Sequence, residues 1–224
     1  MNLTVTSSPH IRGDFRTSRL MLDVVIALIP TLVVGTVVLG LRALIVTLIS
    51  MAAAVAAECL FNLICRKRTT LQDCSALVTG MLLALTLPST VPYWLAAAGS
   101  AFAIIAVKLI SGGLGQNVFN PALLARAAML LVFPAAMTRY PALGVDAVTA
   151  ATPLHHMVMP SLPSESILDM FLGNCPGSIG EISALALLIG GAYLVYRKVI
   201  SIRIPAAYIG TVAVLTLVFS KTGA

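Results

Sequence analysis

Long apolar runs separated by short polar ones dominate this chain. Seven stand out, at about Leu20 to Gly40, Ala43 to Cys65, Leu71 to Leu87, Tyr93 to Ile110, Pro121 to Met137, Ile179 to Tyr196 and Ile204 to Phe219. A helix crossing a hydrocarbon core needs ~20 consecutive apolar residues. The pattern therefore predicts an all-α, polytopic transmembrane helical bundle with about seven spans. The first run is too long for a removable signal peptide and lacks a small-residue cleavage site, so it reads as an uncleaved anchor.

Punctuation between the runs carries further information. Asn120-Pro121 suits an N-cap followed by proline at the first helical position, and Ser178-x-x-Glu181 has the form of a capping box. Pro88 and Pro92 cannot continue a helix, so the third run ends near Leu87. Two segments break the helical pattern, Ser111-Gly-Gly-Leu-Gly-Gln-Asn-Val-Phe-Asn120 and Leu85-Thr-Leu-Pro-Ser-Thr-Val-Pro92. Irregular backbone at membrane depth must be satisfied by protein or by a polar cavity, and discontinuous helices often line binding sites in transporters. The glycine-rich segment reads equally well as a tight turn at the membrane surface.

Composition strengthens this picture. Hydrophobic residues make up 59% of the chain and charged residues 10%, with a mean hydropathy of +1.01. A soluble domain carries about a quarter charged residues, so a soluble enzyme is excluded. The 14 Lys+Arg exceed the 8 Asp+Glu, yet they fall between apolar runs and form no stripe for nucleic acid. They set topology instead. Arg12, Arg16 and Arg19, then Arg66, Lys67 and Arg68, then Arg197, Lys198 and Arg203 all lie on one side of a seven-span bundle, which the positive-inside rule makes cytoplasmic. Residues 1–19 then form a cytoplasmic tail, 20–137 a first membrane region, 138–178 an external loop and 179–224 further membrane helices. The loop, about forty residues long, far exceeds the usual ~4 to 6, and such loops are functional or disordered. Its apolar stretches favour a folded, functional one.

Candidate chemistry is sparse. Cys59, Cys65, Cys74 and Cys175 form no C-x-x-C, and the first three read as small apolar residues in helices. Glu58 lies about eight residues before the Arg66 cluster, hence ~12 Å below the interface at 1.5 Å per residue. A carboxylate there faces the interior, is paired, or is protonated. Arg126 is a candidate partner, and Glu58 with Arg126 forms either an ion path or a structural ion pair. Lys108, near the end of its run, is placed to snorkel. Asp23 and Asp73 fall near helix starts, where the macrodipole accounts for them. In the loop, Asp146-Ala-Val-Thr149-Ala150-Ala151-Thr152-Pro153 presents a hydroxyl among small side chains. Taken alone, Thr152 is either a modification site or a solvated threonine in a turn. His155 and His156 read as a polar surface pair.

Several stretches carry a resemblance: Ser8-Pro-His-Ile-Arg12, Met21 to Pro30, Val78-Thr-Gly-Met-Leu-Leu-Ala-Leu-Thr-Leu-Pro88, Gly113-Leu-Gly-Gln-Asn-Val-Phe-Asn-Pro-Ala122, Gly177-Ser-Ile-Gly-Glu181 and Tyr196-Arg-Lys-Val-Ile200. Over nearly its whole length the chain resembles the D subunits of Rnf ferredoxin:NAD oxidoreductase complexes, related to the B subunit of the sodium-translocating NADH:quinone oxidoreductase. The resemblance implies FMN joined to Thr152 through a phosphoester by a flavin transferase, with Asp146, Thr149 and Ala151 as recognition positions. Ala150 stands where many members have glycine. It further implies a urea-transporter-like scaffold, and a second, non-covalent flavin such as riboflavin can be accommodated within the helices. The implied setting is a multi-pass protein of the bacterial or archaeal inner membrane, surrounded by lipid and by the other Rnf subunits. There it would relay electrons between ferredoxin and NAD and couple their flow to Na⁺ or H⁺ export. The chain would be a translocase subunit and not a complete enzyme, since it holds no dinucleotide-binding loop and no cluster-binding cysteine set. Members of the family continue for several spans past the counterpart of Ala224. The rival readings are a channel or secondary transporter, favoured by the broken helices, and a purely structural membrane subunit.

Overall fold

The computed structural model describes residues 17–66, 71–141, 149–150, 166–173 and 175–219. Helix α1 (Thr17–Leu39) and helix α2 (Leu41–Ile64) are both long and apolar enough to cross a membrane. They meet at Gly40, whose φ of 81° is readily reached only without a Cβ. A 3₁₀ turn (Leu71–Asp73) leads into α3 (Ser75–Leu85). Helix α4 (Tyr93–Phe102) runs on into a π-helical stretch (Ala103–Leu109). Then come α5 (Pro121–Val132), α6 (Pro134–Met137), the strands β1 (Tyr140–Pro141) and β2 (Thr149–Ala150), α7 (Ile167–Leu172), α8 (Ala184–Tyr196) and α9 (Arg203–Phe219). Each of the seven apolar runs contains a helix, and the chain is a helical membrane protein. The strand pair, antiparallel with Tyr140 opposite Ala150 and Pro141 opposite Thr149, is a small departure from the all-α expectation.

Helix α2 is the hub, packed by α3 and α4, while α8 lies along α1. Small residues allow these approaches, as they do where lipid removes any hydrophobic drive between helices. A Cβ on Gly80 would sit 2.9 Å from Ala54 Cβ and from Ser50 O, and Ser50 Oγ hydrogen-bonds to Gly80 O at 2.7 Å. Ser50 and Ser100 hydroxyls also pair at 2.6 Å, fixing α2 to α4. Large apolar side chains such as Val37, Leu63, Leu131, Ile204 and Leu217 remain exposed on outer faces, as lipid contact requires. Between α8 and α1 the fit is closest at Gly190, where an added Cβ would run into the Ala27 carbonyl oxygen. Gly190→Ala is expected to cost about 1–3 kcal/mol by overpacking, read as a lower melting temperature in detergent. An unchanged melting curve would show that α8 can slide away from α1.

Two helix starts differ from the sequence expectation. Helix α3 stops at Leu85 as the prolines demand, but starts only at Ser75, where Asp73 Oδ1 accepts from Ser75 N at 2.9 Å. The Ser178–Glu181 pair forms, with Ser178 Oγ donating to Glu181 Oε2 at 2.9 Å, yet it does not begin a helix. Helix α8 starts at Ala184 with Ser183 as its cap. The reason is that the backbone of 179–180 is committed elsewhere: Ile179 N donates to Leu87 O at 3.0 Å and Gly180 N to Leu85 O at 2.7 Å. A buried irregular segment thus closes the broken end of α3 and satisfies its carbonyls. The glycine-rich segment is a turn with exposed residues, Gly112, Gly113 and Gly115 having φ of 111°, 99° and 85°. Cys74, expected in a helix, instead takes a left-handed φ of 58° before α3.

Candidate functional site

Among the described residues, charged side chains gather against the bundle at three places. The first joins α2 to the π-helical end of α4. Lys108 Nζ lies 3.0 and 3.1 Å from the two Glu58 carboxylate oxygens and donates to Ser75 Oγ at 2.5 Å. Ser75 Oγ in turn donates to Asp73 Oδ1 at 2.6 Å. Glu58 is 0% exposed and Lys108 2%. Lys108 therefore does not snorkel, because the wider π turn carries its side chain inward toward α2. The cation paired with Glu58 is Lys108, not Arg126, which lies on another cavity. Two opposite charges removed from water cancel most of each other's desolvation cost only with such close, multiply bonded geometry.

Lys108 and Ser75 also line a cavity of about 320 Å³, together with Met21, Thr79, Leu82 and the end of the glycine-rich turn, including Asn117, Phe119 and Asn120. Asn117, with its amide nitrogen turned toward them, donates to the Gly113 and Lys108 carbonyls at 3.1 and 3.2 Å. Asn120 caps α5 as expected, its side chain accepting from Ala122 N and Leu123 N. The turn thus does two jobs the sequence left as alternatives: it reverses the chain at the surface and forms a cavity wall.

At the second place Asp23, buried on α1, receives Tyr193 Oη at 3.0 Å and the Arg197 guanidinium at 3.3 Å. A tertiary ion pair, and not the α1 macrodipole, accounts for Asp23; it lies in the second turn, beyond the dipole's reach. The hydrogen bond to Asp23, with its charge, raises the Arg197 pKa above the ordinary guanidinium value. Asp23→Asn is expected to loosen α8 from α1, measured as faster proteolysis after Arg197; unchanged cleavage would assign the helix contact to Gly190 alone.

The third place is the broken end of α3. There Arg126 of α5 and Glu181 line a cavity of about 390 Å³ with Leu28, Leu82, Leu85, Thr86, Ser178, Gly180 and Leu187. Glu58 and Arg126, paired in the sequence reading, are thus apart: Glu58 is buried against Lys108, and Arg126 lines this cavity.

The opposite end of the bundle holds the described part of the threonine motif, Thr149 and Ala150. Arg42 Nε donates to Ser89 O at 2.9 Å and its guanidinium stacks 5.3 Å from the Tyr93 ring centre. Thr90 Oγ1 hydrogen-bonds to Arg139 O, holding the chain that enters β1. The β1–β2 pair then places Thr149 and Ala150 beside Tyr140 and Pro141. Asp146, Ala151, Thr152, His155 and His156 lie outside the described residues. Among the described residues no group of His, Cys, Asp and Glu is arranged to hold a metal ion. Sequence reasoning missed the role of Lys108, whose signal was present: a single cation inside an apolar run needs a buried anion, and Glu58 was available.

These features define a helical membrane protein whose broken helix and irregular segment meet inside the bundle beside charged cavities. The chain belongs to the NQR2, RnfD, RnfE family, whose sequence profile matches residues 4–224. It is 48% identical over 99% of its length to the D subunit of the Na⁺-translocating ferredoxin:NAD⁺ oxidoreductase complex of Acetobacterium woodii, covering 71% of that protein. Identity is 42% to the proton-translocating counterpart of Clostridium ljungdahlii, over 98% of this chain and 70% of the relative. It is 38% to the D subunit of the ion-translocating oxidoreductase complex of Halorhodospira halophila, over 96% and 70%.

Proposed function

We propose that this chain is the flavin-carrying membrane subunit of an ion-translocating ferredoxin:NAD oxidoreductase complex, with FMN esterified to Thr152. The observation that carries the reading is the run Asp146-x-x-Thr149-Ala-Ala151-Thr152, followed by proline, in a chain 48% identical to a subunit of such a complex. Support comes from where the described part of the motif lies: Thr149 and Ala150 pair with Tyr140 and Pro141. That pair is tied to the bundle end opposite the Lys108 cavity, since α4 runs from Tyr93 to Phe102 and on through the π turn. With the Arg66 and Arg197 clusters cytoplasmic, the flavin loop is external.

A covalent flavin supplies electron transfer at a fixed place, and the protein's part is to tether and orient it. Thr152 is the tether, presented to a flavin transferase through Asp146, Thr149 and Ala151. The cavity against Lys108, with two asparagines, a phenylalanine and a fixed cation, has the donors and apolar walls suited to a second, non-covalent flavin such as riboflavin. Glu58, with its cation already supplied by Lys108, serves in this reading as the anchor of that wall, and ion passage through Arg126 belongs to the other cavity. The remaining subunits of the complex provide nicotinamide and cluster chemistry.

The test is mass spectrometry of the Thr152 peptide from protein made with a flavin transferase. The expected result is the mass of FMN less water on that threonine. A bare peptide from competent cells would instead favour a channel or secondary transporter.

A further inference from the structure

Opposite charges in this bundle close on each other wherever they serve as struts: Glu58 meets Lys108 at 3.0 Å and Arg197 meets Asp23 at 3.3 Å. Arg126 and Glu181 break that habit. Half-buried Arg126 and exposed Glu181 line one cavity of about 390 Å³ and form no ion pair among the described residues. A carboxylate held by Ser178 Oγ at 2.9 Å keeps its other oxygen free for a ligand.

The surroundings say which ligand. Leu85 and Thr86, the last turn of α3 and its cap, form part of the wall, so the negative end of that helix's dipole faces the same space. Helix α3 is 11 residues long, ~16 Å at 1.5 Å per residue, and so it ends about halfway across a bilayer core. Leu85 O and Leu87 O accept from Gly180 and Ile179, and each carbonyl retains a second lone pair. Glu181, Ser178, Thr86 and this half-helix end are oxygen donors of the kind that hold alkali cations in discontinuous transporter helices. The elements packed around the cavity otherwise contribute Leu28 from α1, Leu82 from α3 and Leu187 from α8, and among the described residues Arg126 of α5 is the sole positive side chain in its wall. On α1, one turn beyond Leu28, the buried Thr31 hydroxyl has no hydrogen-bond partner among the described residues.

We infer that this cavity is a low-affinity binding site for a monovalent alkali cation, with Glu181 and the broken end of α3 as its oxygen ligands and Arg126 as a built-in competitor. Glu181 attracts the ion. Arg126 keeps the attraction weak, which a conducted ion requires in order to leave. Leu82 belongs to the walls of both this cavity and the one against Lys108, so the two compartments are neighbours along α3. The inference rests on the reading of the chain as an ion-translocating subunit and gives that reading a binding station.

The experiment is ²²Na⁺ binding to the full chain in lipid nanodiscs, with in-gel flavin fluorescence recorded on the same samples. Glu181→Gln is expected to weaken Na⁺ binding at least tenfold, and Arg126→Gln to tighten it about tenfold, the effect of removing one nearby like charge. Arg126→Lys, which keeps the charge, should bind as the parent does. Na⁺ binding that ignores Glu181→Gln, or that weakens in Arg126→Gln, overturns the inference. Covalent flavin is read independently: a parent chain that lacks fluorescence yet shows these Na⁺ shifts sinks the flavin assignment and leaves the cation site standing.

Discussion

Thr152→Val is expected to abolish covalent flavin completely. Valine keeps the branched shape of threonine but has no Oγ. In flavin transfer that oxygen attacks the FMN phosphorus of FAD, the Oγ–P bond forms, the pyrophosphate bond breaks and AMP leaves. Without the oxygen no bond forms, so the effect is all-or-none and not graded. Fluorescence of the band after denaturing electrophoresis should vanish in Thr152→Val and persist in Thr152→Ser, which retains the hydroxyl. Electron transfer by the assembled complex should fall with it. A valine variant that still fluoresces would move the attachment elsewhere, and one that is dark but leaves electron transfer intact would reduce the chain to a structural subunit.

Lys108→Met should produce the largest loss of stability. It leaves the Glu58 carboxylate, 0% exposed, without its cation and removes the donor to Ser75. Breaking one side of a buried ion pair costs about 3–5 kcal/mol, because the remaining charge keeps its desolvation penalty. The double variant Glu58→Gln, Lys108→Met removes both penalties and should recover most of the loss, since neutral side chains of similar volume fill the same space. Thermal unfolding in detergent, followed by helical circular dichroism, separates the three proteins. Additive losses in the double variant would show that the two charges do not support each other. A single variant as stable as the parent would show that the Glu58–Lys108 pair does not support the fold.

The broken helix illustrates how far local chemistry reached. Pro88 and Pro92 announced the end of α3 because a proline removes a donor and clashes with the preceding turn, whatever surrounds it. Asn120-Pro121 likewise announced α5, a cap satisfied within four residues. Ser178-x-x-Glu181 made an equally local promise of a helix start. It was overridden because Ile179 and Gly180 use their backbone donors on Leu87 and Leu85, partners about ninety residues earlier that no local pattern reveals. Lys108 and Glu58 are similar: each was legible as a buried charge, but a pairing across 50 residues was not.

Sequence alone determined that this chain lives in a membrane, where its apolar runs lie, which loop carries the threonine motif and which family it resembles. These follow from hydropathy, charge and motif, quantities that add up residue by residue along the chain. Tertiary structure alone decided that Glu58 meets Lys108 and not Arg126, that Ile179 and Gly180 close the end of α3, and that Arg126 shares a cavity with Glu181. Those are matters of which distant segments touch, and in lipid such choices rest on small-residue fits and single polar bonds that hydropathy cannot rank.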